Sequence, residues 1–354
     1  MVTRVVRVAV VGAGGIGARH IQEIRANDDA RLAAVVDFTA AAATLAQAAA
    51  VPLYASLDEL LARDRPDGIV LATPNALHAT QALACIDARV PVLVEKPIAH
   101  TLADGARIRD AAERTNVPVL VGHHRRHSPI LRTACEIIAS GVLGRLVGVI
   151  GSAVFCKPDA YFAEAAWRRE PGGGPILINM IHEVDNLRAM LGEINAVQAF
   201  SSSAIRGFDV EDTVSISLRF ANGALGTFLL SDTAACAKSW EQTARENAAY
   251  AAYPDEDCYT VIGTQGSFGV PTMRVRCYDP GTERSWYQPF VNRTVAFERK
   301  DPLAVQIAHF VAVIRGDATP LVTARDGVAD LRVVEAIAEA AQTGRVVGTS
   351  EGGR

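Results

Sequence analysis

The chain has 354 residues, of which 49% are hydrophobic and 21% are charged, and its formal net charge is −4 at pH 7. This length predicts two domains, and this composition is typical of a globular protein rather than a disordered one. The slight acidity and the lack of a basic block argue against nucleic acid or an acidic membrane surface as the main partner.

The six cysteines are scattered along the chain without a C-x-x-C pair. This spacing indicates neither a disulfide framework nor a zinc site, so we expect no metal and a reducing compartment. The apolar run after Arg4 is too short for the core of a signal peptide, and no run approaches membrane-spanning length. We therefore expect a cytoplasmic protein without a membrane segment.

The first predicted element is a β-branched strand at residues 5–11, which runs into the motif Gly12-Ala13-Gly14-Gly15-Ile16-Gly17. An apolar-periodic stretch follows and predicts a helix. A strand, a G-x-G-x-x-G turn and a helix in this order let backbone N–H groups hold a pyrophosphate. Gly12 is expected to permit the turn, Gly14 the approach of phosphate and Gly17 the close packing of helix on strand. Gly15 and Ile16 are further candidate cofactor contacts.

The next predicted strand, residues 32–36, ends at Asp37. In dinucleotide-binding folds a carboxylate about 20 residues beyond the glycines accepts hydrogen bonds from the ribose hydroxyls of NAD. The same carboxylate repels a 2′-phosphate, and the neighbouring Phe38 offers no cation to neutralise one. The sequence therefore predicts NAD as the cofactor, in preference to NADP.

Strands and helices continue to alternate up to residue 121. We predict helices at residues 40–50, 57–61 and 76–87, and strands at residues 68–71, 90–94 and 117–121. This alternation is typical of a doubly wound parallel sheet of the α/β class. We assign residues 1–124 to a dinucleotide-binding Rossmann domain.

Polar residues follow the strand at residues 68–71, in the segment Thr73-Pro74-Asn75-Ala76-Leu77-His78. Proline favours an extended exit from the strand, and Asn75 can cap the helix at residues 76–87. Because ligands bind at the carboxyl ends of parallel strands, Thr73, Asn75 and His78 are candidate cofactor contacts. The alternative is that Asn75 is only a cap and that His78 is an ordinary helix-face residue.

The strand at residues 90–94 ends in Glu95-Lys96-Pro97. Burying an acid and a base is costly, so we expect Glu95 and Lys96 at the exposed carboxyl end of this strand, beside the cofactor. Pro97 restricts the backbone as it leaves the strand and so fixes the direction of the lysine. The alternative is a surface ion pair on a strand-to-loop turn.

The last predicted strand of this domain is followed by His123-His124-Arg125-Arg126-His127-Ser128-Pro129. Such a run is either a solvated bend or, at a strand's carboxyl end, a ligand-binding segment. We assign residues 125–354 to a second domain. It begins with a predicted helix through residues 130–137 and a strand at residues 146–155.

Residues 176–191 predict an amphipathic helix with a proline in its first turn, preceded by Ala166-Trp167-Arg168 and Gly172-Gly173-Gly174-Pro175. Asn179, His182 and Asp185 recur at intervals of three, so they share one face of the helix or its edge. His182 is either a functional group or a hydrogen-bonded core histidine.

The remainder of the chain is rich in predicted strands, at residues 197–203, 214–220, 224–231, 259–262 and 273–278, and closes with helices at residues 302–315 and 324–341. Asn222-Gly223 predicts a hairpin turn. Residues 234–257, around Trp240, form either a long loop or a lid over a substrate. The end of the chain, residues 348–354, is expected to fray.

Together, the glycine motif, the TPN-x-x-H segment and the EKP segment resemble the glucose–fructose oxidoreductase, inositol dehydrogenase and MocA family. The resemblance extends over nearly the whole chain, and EKP after a strand is its most specific feature. It implies a Rossmann domain followed by an α+β domain that is built on a large open antiparallel sheet.

The resemblance also implies roles for single residues. Lys96 is the expected main acid–base group, and His182 falls on the family's catalytic histidine, where it would share or relay the proton. The aspartate that the family often carries four residues earlier is Ile178 here. His124 and Arg126 match a segment in which an arginine faces the active site, and the candidate substrate contacts are His124, Arg126, Trp167, Arg168, Asn179 and His182.

The resemblance implies an NAD-dependent oxidoreductase that moves a hydride between nicotinamide and a secondary alcohol. The expected substrate is a small polyhydroxylated compound (a sugar or cyclitol) or a cyclic dihydrodiol carboxylate, since arginines bind carboxylates bidentately. A dinucleotide-binding sensor without turnover, and NAD-dependent glycoside cleavage, remain alternatives. An uncovered sheet face needs a partner, so we expect a homodimer or a homotetramer.

Overall fold

The computed structural model describes residues 4–350. This part of the chain contains the strands β1 (Val6–Val11), β2 (Ala30–Val36), β3 (Leu53–Tyr54), β4 (Gly68–Leu71), β5 (Val92–Val94), β6 (Val119–Val121), β7 (Leu146–Val154), β8 (Ile194–Ser202), β9 (Thr213–Phe220), β10 (Leu225–Ser231), β11 (Tyr259–Gly263), β12 (Gly266–Val270), β13 (Arg274–Cys277), β14 (Val291–Thr294) and β15 (Val347–Gly348).

The α-helices of the same part are α1 (Gly15–Ala26), α2 (Ala40–Ala48), α3 (Leu57–Arg63), α4 (Asn75–Asp87), α5 (Leu102–Thr115), α6 (Pro129–Ala139), α7 (Asp159–Ala163), α8 (Ile181–Leu191), α9 (Trp240–Thr243), α10 (Pro302–Arg315) and α11 (Ala324–Thr343). Two short 3₁₀ turns occupy His124–His127 and Ala166–Arg169, and a π-helical turn occupies Ile176–Met180.

The chain divides into two compact units. The first runs through His127 and also includes Asp301–Leu331. Its strands form one six-stranded parallel sheet in the order β3-β2-β1-β4-β5-β6, which is the order of a doubly wound dinucleotide-binding domain. The predicted Rossmann class is therefore confirmed. Helices cover both faces of such a sheet, which explains why β1, β4 and β5 are almost continuously apolar.

The structural division differs from the predicted boundary between residues 124 and 125. The 3₁₀ turn that ends at His127 stays with the first unit, and α10 returns to it. Ile307, Phe310 and Val311 of α10 are buried in one hydrophobic cluster with Val10 of β1 and Leu93 of β5. Because α10 comes after residues 128–300 of the second unit along the chain, its place in the sequence gave no sign of this packing.

The second unit comprises Ser128–Lys300 and the segment from Arg332 onward. Its nine-stranded sheet has the order β14-β13-β12-β11-β7-β10-β9-β8-β15. Most neighbours are antiparallel and one pair, β7 and β10, is parallel. The predicted α+β unit with a large, mainly antiparallel sheet is therefore confirmed. The predicted hairpin at Asn222-Gly223 is confirmed, and Gly223 adopts φ +90° between β9 and β10.

One face of this sheet is covered by α6, α8 and the later part of α11, with which it forms a large apolar core. The opposite face, here called the open face, carries exposed apolar side chains from β7, β8 and β10. Cross-strand register places Ile150, Phe200, Leu225 and Leu229 on this side. All four are among the exposed large hydrophobic residues of the chain.

The insertion at residues 234–257 is anchored rather than free to move as one lid. Its short helix α9 buries Trp240, which packs in the core of the second unit and lies 6.1 Å from the ring of Tyr259. The indole Nε1 also donates to Glu246 at 2.8 Å. These contacts favour the structured-loop interpretation for this half of the insertion.

Two further predictions concern the cysteines and the end of the chain. No disulfide joins the six cysteines, all of which lie within residues 4–350. Of the segment predicted to fray, Gly348 belongs to β15 and pairs with Ala196 of β8. Residues 351–354 lie outside the described residues, so the prediction stays open for them.

Candidate active site

The glycine-rich turn between β1 and α1 has the backbone geometry that the motif predicts. Gly12 adopts φ +87°, and a Cβ on it would lie 2.7 Å from the carbonyl oxygen of Ala72. A Cβ on Gly17 would overlap the carbonyl oxygen of Gly12, so α1 lies closer to β1 than a side chain would permit. At Gly14 and Gly15 a Cβ would have no heavy atom within 4 Å. The space beside these two glycines is thus open to a ligand.

The start of α1 is suited to an anion. Its N-cap is Gly14, which has no side-chain oxygen to accept from the N–H groups of the first turn. Those N–H groups and the positive end of the helix dipole favour a phosphate at this position. Together with the open space at Gly14 and Gly15, this start fits the pyrophosphate of a dinucleotide. Ile16, in the first turn, is partly exposed beside them.

Asp37 follows β2 and is tied to the glycine turn. Its Oδ2 accepts a hydrogen bond from the N–H of Ala13 at 2.8 Å, and its Oδ1 accepts one from the N–H of Thr39 at 2.8 Å. Burial raises the pKa of Asp37, but these backbone N–H groups outweigh it and hold the pKa below its ordinary value. The carboxylate is therefore ionised at neutral pH, beside a Phe38 side chain that is 91% exposed.

The TPN segment at the end of β4 differs from prediction in one detail. Helix α4 begins at Asn75, one residue earlier than expected, and Pro74 occupies the N-cap position without a side-chain hydrogen bond. Asn75 is therefore the first helical residue and not the cap. Thr73 donates from Oγ1 to Gln81 Oε1 at 2.6 Å, which fixes its hydroxyl against α4.

His78 is buried and links two strand ends. Its Nε2 lies 2.9 Å from the carbonyl oxygen of Thr73, and its Nδ1 lies 2.8 Å from the carbonyl oxygen of Pro97. Burial lowers the pKa of His78, while both carbonyl groups oppose the shift. Because both ring nitrogens face main-chain carbonyls, His78 holds the TPN and EKP segments together. A contact between this imidazole and the cofactor stays a prediction.

The EKP segment lies at the carboxyl end of β5, as predicted, but Glu95 is not exposed. Its side chain is only 6% exposed and its Oε1 lies 2.7 Å from Nε2 of His20, a fully buried residue of α1. The cost of burying an acid is offset here by a hydrogen-bonding partner, which the sequence argument did not consider. Lys96 is half-buried, and its peptide bond to Pro97 is cis.

The cationic run after β6 forms the 3₁₀ turn His124–His127 at the same edge of the sheet. Arg125 and His127 are buried, whereas His124 and Arg126 are half-buried. Burial and the Arg125 charge lower the pKa of His124 to about 4, so its imidazole is neutral at pH 7. The run is therefore a structured turn at a strand end and not a solvated bend.

In the second unit, His182 lies in the first turn of α8, directly after the π-helical turn. The sequence predicted one amphipathic α-helix over residues 176–191. Instead the first five residues are π-helical, and α8 is buried on nearly all sides. The polar residues are accommodated by hydrogen bonds: Asn186 donates to Tyr259 Oη at 3.0 Å, and Tyr259 donates to Glu183. π-Helical turns occur frequently at functional sites.

Lys157 is a candidate site residue that the sequence argument missed. It follows β7 and donates from Nζ to Oδ1 of Asn179 at 2.8 Å, one helical turn before His182. Its Nζ also lies 3.4 Å from Asp232, which follows β10 and pairs with Arg206 at 2.9 Å. Burial lowers the pKa of Lys157, although Asp232 opposes the shift. The sequence feature that could have identified Lys157 is the pair Lys157-Pro158 after a predicted strand, which repeats the pattern of Lys96-Pro97.

The structure places Trp167 and Arg168 on a short turn that follows α7 in the second unit. Both lie in the 3₁₀ turn Ala166–Arg169, and the indole of Trp167 is 54% exposed. The guanidinium of Arg168 lies 3.8 Å from the ring centre of Tyr161 and donates to Glu164 at 3.2 Å. These contacts tie Arg168 to α7, and a role in substrate binding stays a prediction.

The first unit thus collects its predicted residues at one edge of the parallel sheet. The glycine turn follows β1, Asp37 follows β2, the TPN segment follows β4, EKP follows β5 and the cationic turn follows β6. Parallel strands place their carboxyl ends on the same edge, where open α/β sheets bind ligands. In the second unit, Asn179 and His182 share one continuous helical segment.

Helices long and apolar enough to cross a membrane are not found among residues 4–350.

Comparison with known proteins agrees with this geometry. A family model described as "Oxidoreductase family, NAD-binding Rossmann fold" matches residues 6–123, and the "GFO/IDH/MocA C-terminal domain" matches residues 131–269. The 1,5-anhydro-D-fructose reductase of Ensifer adhaerens is 30% identical over 297 residues, or 82% of each chain. The 4-carboxy-2-hydroxymuconate-6-semialdehyde dehydrogenase of a Sphingobium species is 27% identical, over 64% of this chain and 71% of its own.

Solved structures show the same architecture. The WlbA dehydrogenase of Bordetella pertussis, in complex with NADH and UDP-GlcNAcA, has a TM-score of 0.76 and 25% identity, over 98% of this chain and 99% of its own. The fold, the glycine turn and these matches identify an NAD(P)-dependent dehydrogenase with NAD as its cofactor. The chain belongs to the GFO/IDH/MocA family of oxidoreductases.

Proposed function

We propose that the protein transfers a hydride between NAD and a secondary alcohol carbon of a small polyhydroxylated or cyclic substrate, in the cytoplasm. Lys96 is the main acid–base group in this proposal, and His182 shares or relays the proton. The observation that carries it is the arrangement at one sheet edge: the open glycine turn, the ionised Asp37 and the half-buried Lys96 after β5. When bound, NAD supplies the hydride acceptor or donor.

Each residue has a definite task in this proposal. The N–H groups at the start of α1 bind the pyrophosphate, and Asp37 accepts from the ribose hydroxyls. The amine of Lys96 takes the hydroxyl proton as the alcohol is oxidised and returns it to the carbonyl oxygen in reduction. Buried contacts around His78 and Glu95 hold the segment that carries the amine.

The small number of lysines in this chain supports the proposed acid–base role of Lys96. Of the 35 basic residues, Lys96, Lys157, Lys238 and Lys300 are the four lysines and the rest are arginines. Arginine stays protonated under all ordinary conditions, whereas a lysine amine can lose its proton when it is buried. A lysine at the end of β5, in a chain whose basic residues are mostly arginines, fits a group that must exchange a proton.

The substrate class is the finer part of the proposal. The reductase from Ensifer acts, by its name, on an anhydro sugar, and the dehydrogenase from Sphingobium on a carboxylated compound. These names support a sugar or a carboxylated substrate here, and the proposed classes are a sugar, a cyclitol or a cyclic dihydrodiol carboxylate. Arg126, in the turn after β6, and Arg168, in the turn before the π-helical turn, are the candidate partners of a substrate carboxylate.

A substrate panel tests the proposal. Sugars, inositols, sugar acids and ring dihydrodiol acids are incubated with enzyme and NAD, and the absorbance of NADH is followed. We expect turnover within one of these classes, and for an acid substrate a raised KM in Arg126→Ala. Binding of NAD without turnover of any class would favour a sensor. Release of a leaving group without accumulation of NADH would favour glycoside cleavage.

The preference for NAD is a prediction with its own test. Asp37 is ionised and follows β2, where dinucleotide-binding folds carry the carboxylate that accepts from the ribose hydroxyls, so we expect it to repel a 2′-phosphate. We expect kcat/KM to be higher with NAD than with NADP. Asp37→Ala should reduce the ratio of the NAD value to the NADP value. Steady-state kinetics with both cofactors measure it. A preference for NADP, or a ratio unchanged by Asp37→Ala, would refute the assignment.

We also propose a homodimer or a homotetramer that is assembled through the open face. Ile150, Leu225, Leu229 and Phe200 leave an apolar surface on one side of the sheet, and such surfaces mark interaction sites. Because all chains carry the same face, two copies can cover it by two-fold symmetry. The double variant Ile150→Glu with Leu229→Glu places charges on this face.

Light scattering at micromolar concentration tests the proposed assembly. We expect the mass of a dimer or tetramer for the wild type and a smaller assembly for the double variant. Leu321→Glu, at an exposed leucine of the first unit, is the matched control and should not change the mass. A monomeric wild type would contradict the proposal, as would a double variant of unchanged mass.

A further inference from the structure

Glu95 was predicted to contact the cofactor, but its carboxylate makes buried contacts inside the first unit. It directly precedes Lys96, yet its carboxylate is almost fully buried. Its Oε1 lies 2.7 Å from Nε2 of His20, and its Oε2 accepts a hydrogen bond from the backbone N–H of Lys96 at 3.1 Å. A buried carboxylate is therefore attached at one end to α1 and at the other to the backbone of the lysine.

The chain leaves space for this carboxylate in one particular place. A Cβ on Gly122, after β6, would lie 2.9 Å from the Cδ and Oε1 atoms of Glu95. His20, in α1, is fully buried. The space at Gly122 and the contact with His20 keep the carboxylate out of water, so its charge stays at a fixed position beside the backbone of Lys96.

Glu95 lies near Lys96 and three histidines, His20, His124 and His78. Burial raises the pKa of Glu95, but the hydrogen bond with His20 and the groups around the carboxylate outweigh it, so the pKa lies below its ordinary value. His124, from the turn after β6, and His78, from α4, also face this carboxylate. Burial lowers the pKa of both imidazoles, so neither adds a positive charge at neutral pH.

We propose that Glu95 is a positioning residue whose fixed negative charge, held by His20, sets the protonation equilibrium of the Lys96 amine. This inference rests on the proposed acid–base function of Lys96. Partial burial favours the neutral amine, and a carboxylate beside it favours the ammonium form. The balance of the two effects keeps the amine able both to accept and to release a proton. His20 acts through Glu95, because it keeps the carboxylate ionised and in place.

The test is a direct titration of Lys96 in the NAD-bound enzyme. The rate at which acetic anhydride labels this lysine is measured against pH by mass spectrometry, and only the neutral amine reacts. We expect the apparent pKa of Lys96 to fall by about one unit or more in Glu95→Gln, since a nearby opposite charge shifts a pKa by about 1–3 units. The acidic limb of the kcat/KM profile should shift to lower pH by the same amount.

Three further variants separate a charge effect from a packing effect. Glu95→Asp keeps the carboxylate, and His20→Gln keeps a hydrogen-bond donor to it. In both variants the apparent pKa of Lys96 should be closer to the wild-type value than it is in Glu95→Gln. His20→Leu removes the donor and should lower the apparent pKa as Glu95→Gln does. Glu113→Gln removes an exposed carboxylate of α5 in the same unit and should have no effect.

An apparent pKa of Lys96 that is the same in wild type and Glu95→Gln would overturn the proposal. So would a shift in Glu95→Asp as large as that in Glu95→Gln, because it would indicate packing rather than charge. If Glu95→Gln does not fold, His20→Leu against His20→Gln provides the same comparison. Labelling does not require turnover. It therefore reports on Glu95 even if Lys96 proves not to be the acid–base group.

Discussion

Replacement of Lys96 by methionine is expected to lower kcat by about 10²–10⁴-fold, or about 3–5 kcal/mol of activation free energy. The alcohol must lose its hydroxyl proton as the hydride leaves its carbon, so a base has to lie within hydrogen-bond reach of that oxygen. Methionine preserves the length and much of the volume of the lysine but removes the amine. NAD binding should change little, because the glycine turn follows β1 and Asp37 follows β2, whereas Lys96 follows β5.

The matched control for this change is Lys238→Met. Lys238 is exposed and pairs with Glu256 at 2.9 Å, so kcat should stay close to that of the wild type. Lys157→Met is an informative second comparison, since Lys157 is the other half-buried lysine and donates a hydrogen bond to Asn179. We expect it to affect turnover less than Lys96→Met. His182→Ala should also lower kcat less if His182 only relays the proton, and comparably if His182 is the base itself.

The second large effect is expected from Gly17→Ala. An added Cβ would overlap the carbonyl oxygen of Gly12, which is a backbone atom and cannot rotate away. Either α1 moves away from β1 or the glycine turn changes shape, and overpacking of this kind costs about 1–3 kcal/mol. We expect a fall in Tm of several degrees and a loss of NAD affinity of at least about tenfold, because the turn places the pyrophosphate.

Gly15→Ala is the control for this prediction. A Cβ at Gly15 would have no heavy atom within 4 Å, and alanine is a better helix former than glycine. Its Tm should equal or exceed that of the wild type. Thermal unfolding without NAD and titration of NAD by protein fluorescence measure both quantities. A Gly17→Ala variant with wild-type Tm and NAD affinity would show that the close approach of α1 and β1 is not required.

The first unit was predictable from sequence because local patterns determine it. The G-x-G-x-x-G turn, the apolar strands and the acid after β2 each carry a specific physical requirement. The strand-end residues could be grouped in advance, since parallel strands share one carboxyl edge. The return of α10 to this unit could not be predicted, because Phe310 shares a hydrophobic cluster with β1 only after residues 128–300 of the second unit have intervened in the chain.

The candidate site shows a different limit. Sequence patterns indicate which residues lie at a strand end, but not which buried partner a polar side chain finds. Glu95 was expected to be exposed because its partner, His20, is 75 residues away in the chain. Lys157 and Asn179 meet across 22 residues in the same way. The π-helical turn before His182 has no sequence signature of its own and was predicted as regular helix.

We propose that Lys96 carries the proton during hydride transfer. The most direct test is the single-turnover rate of NADH formation by wild type and Lys96→Met, with saturating NAD and the best substrate of the panel. A substrate deuterated at the reacting carbon shows that the observed step is hydride transfer. We predict a rate about 10²–10⁴-fold lower in Lys96→Met, with an unchanged Kd for NAD. A variant that keeps more than about a tenth of the wild-type rate would contradict the claim, since positioned acid–base catalysis contributes at least about 10²-fold.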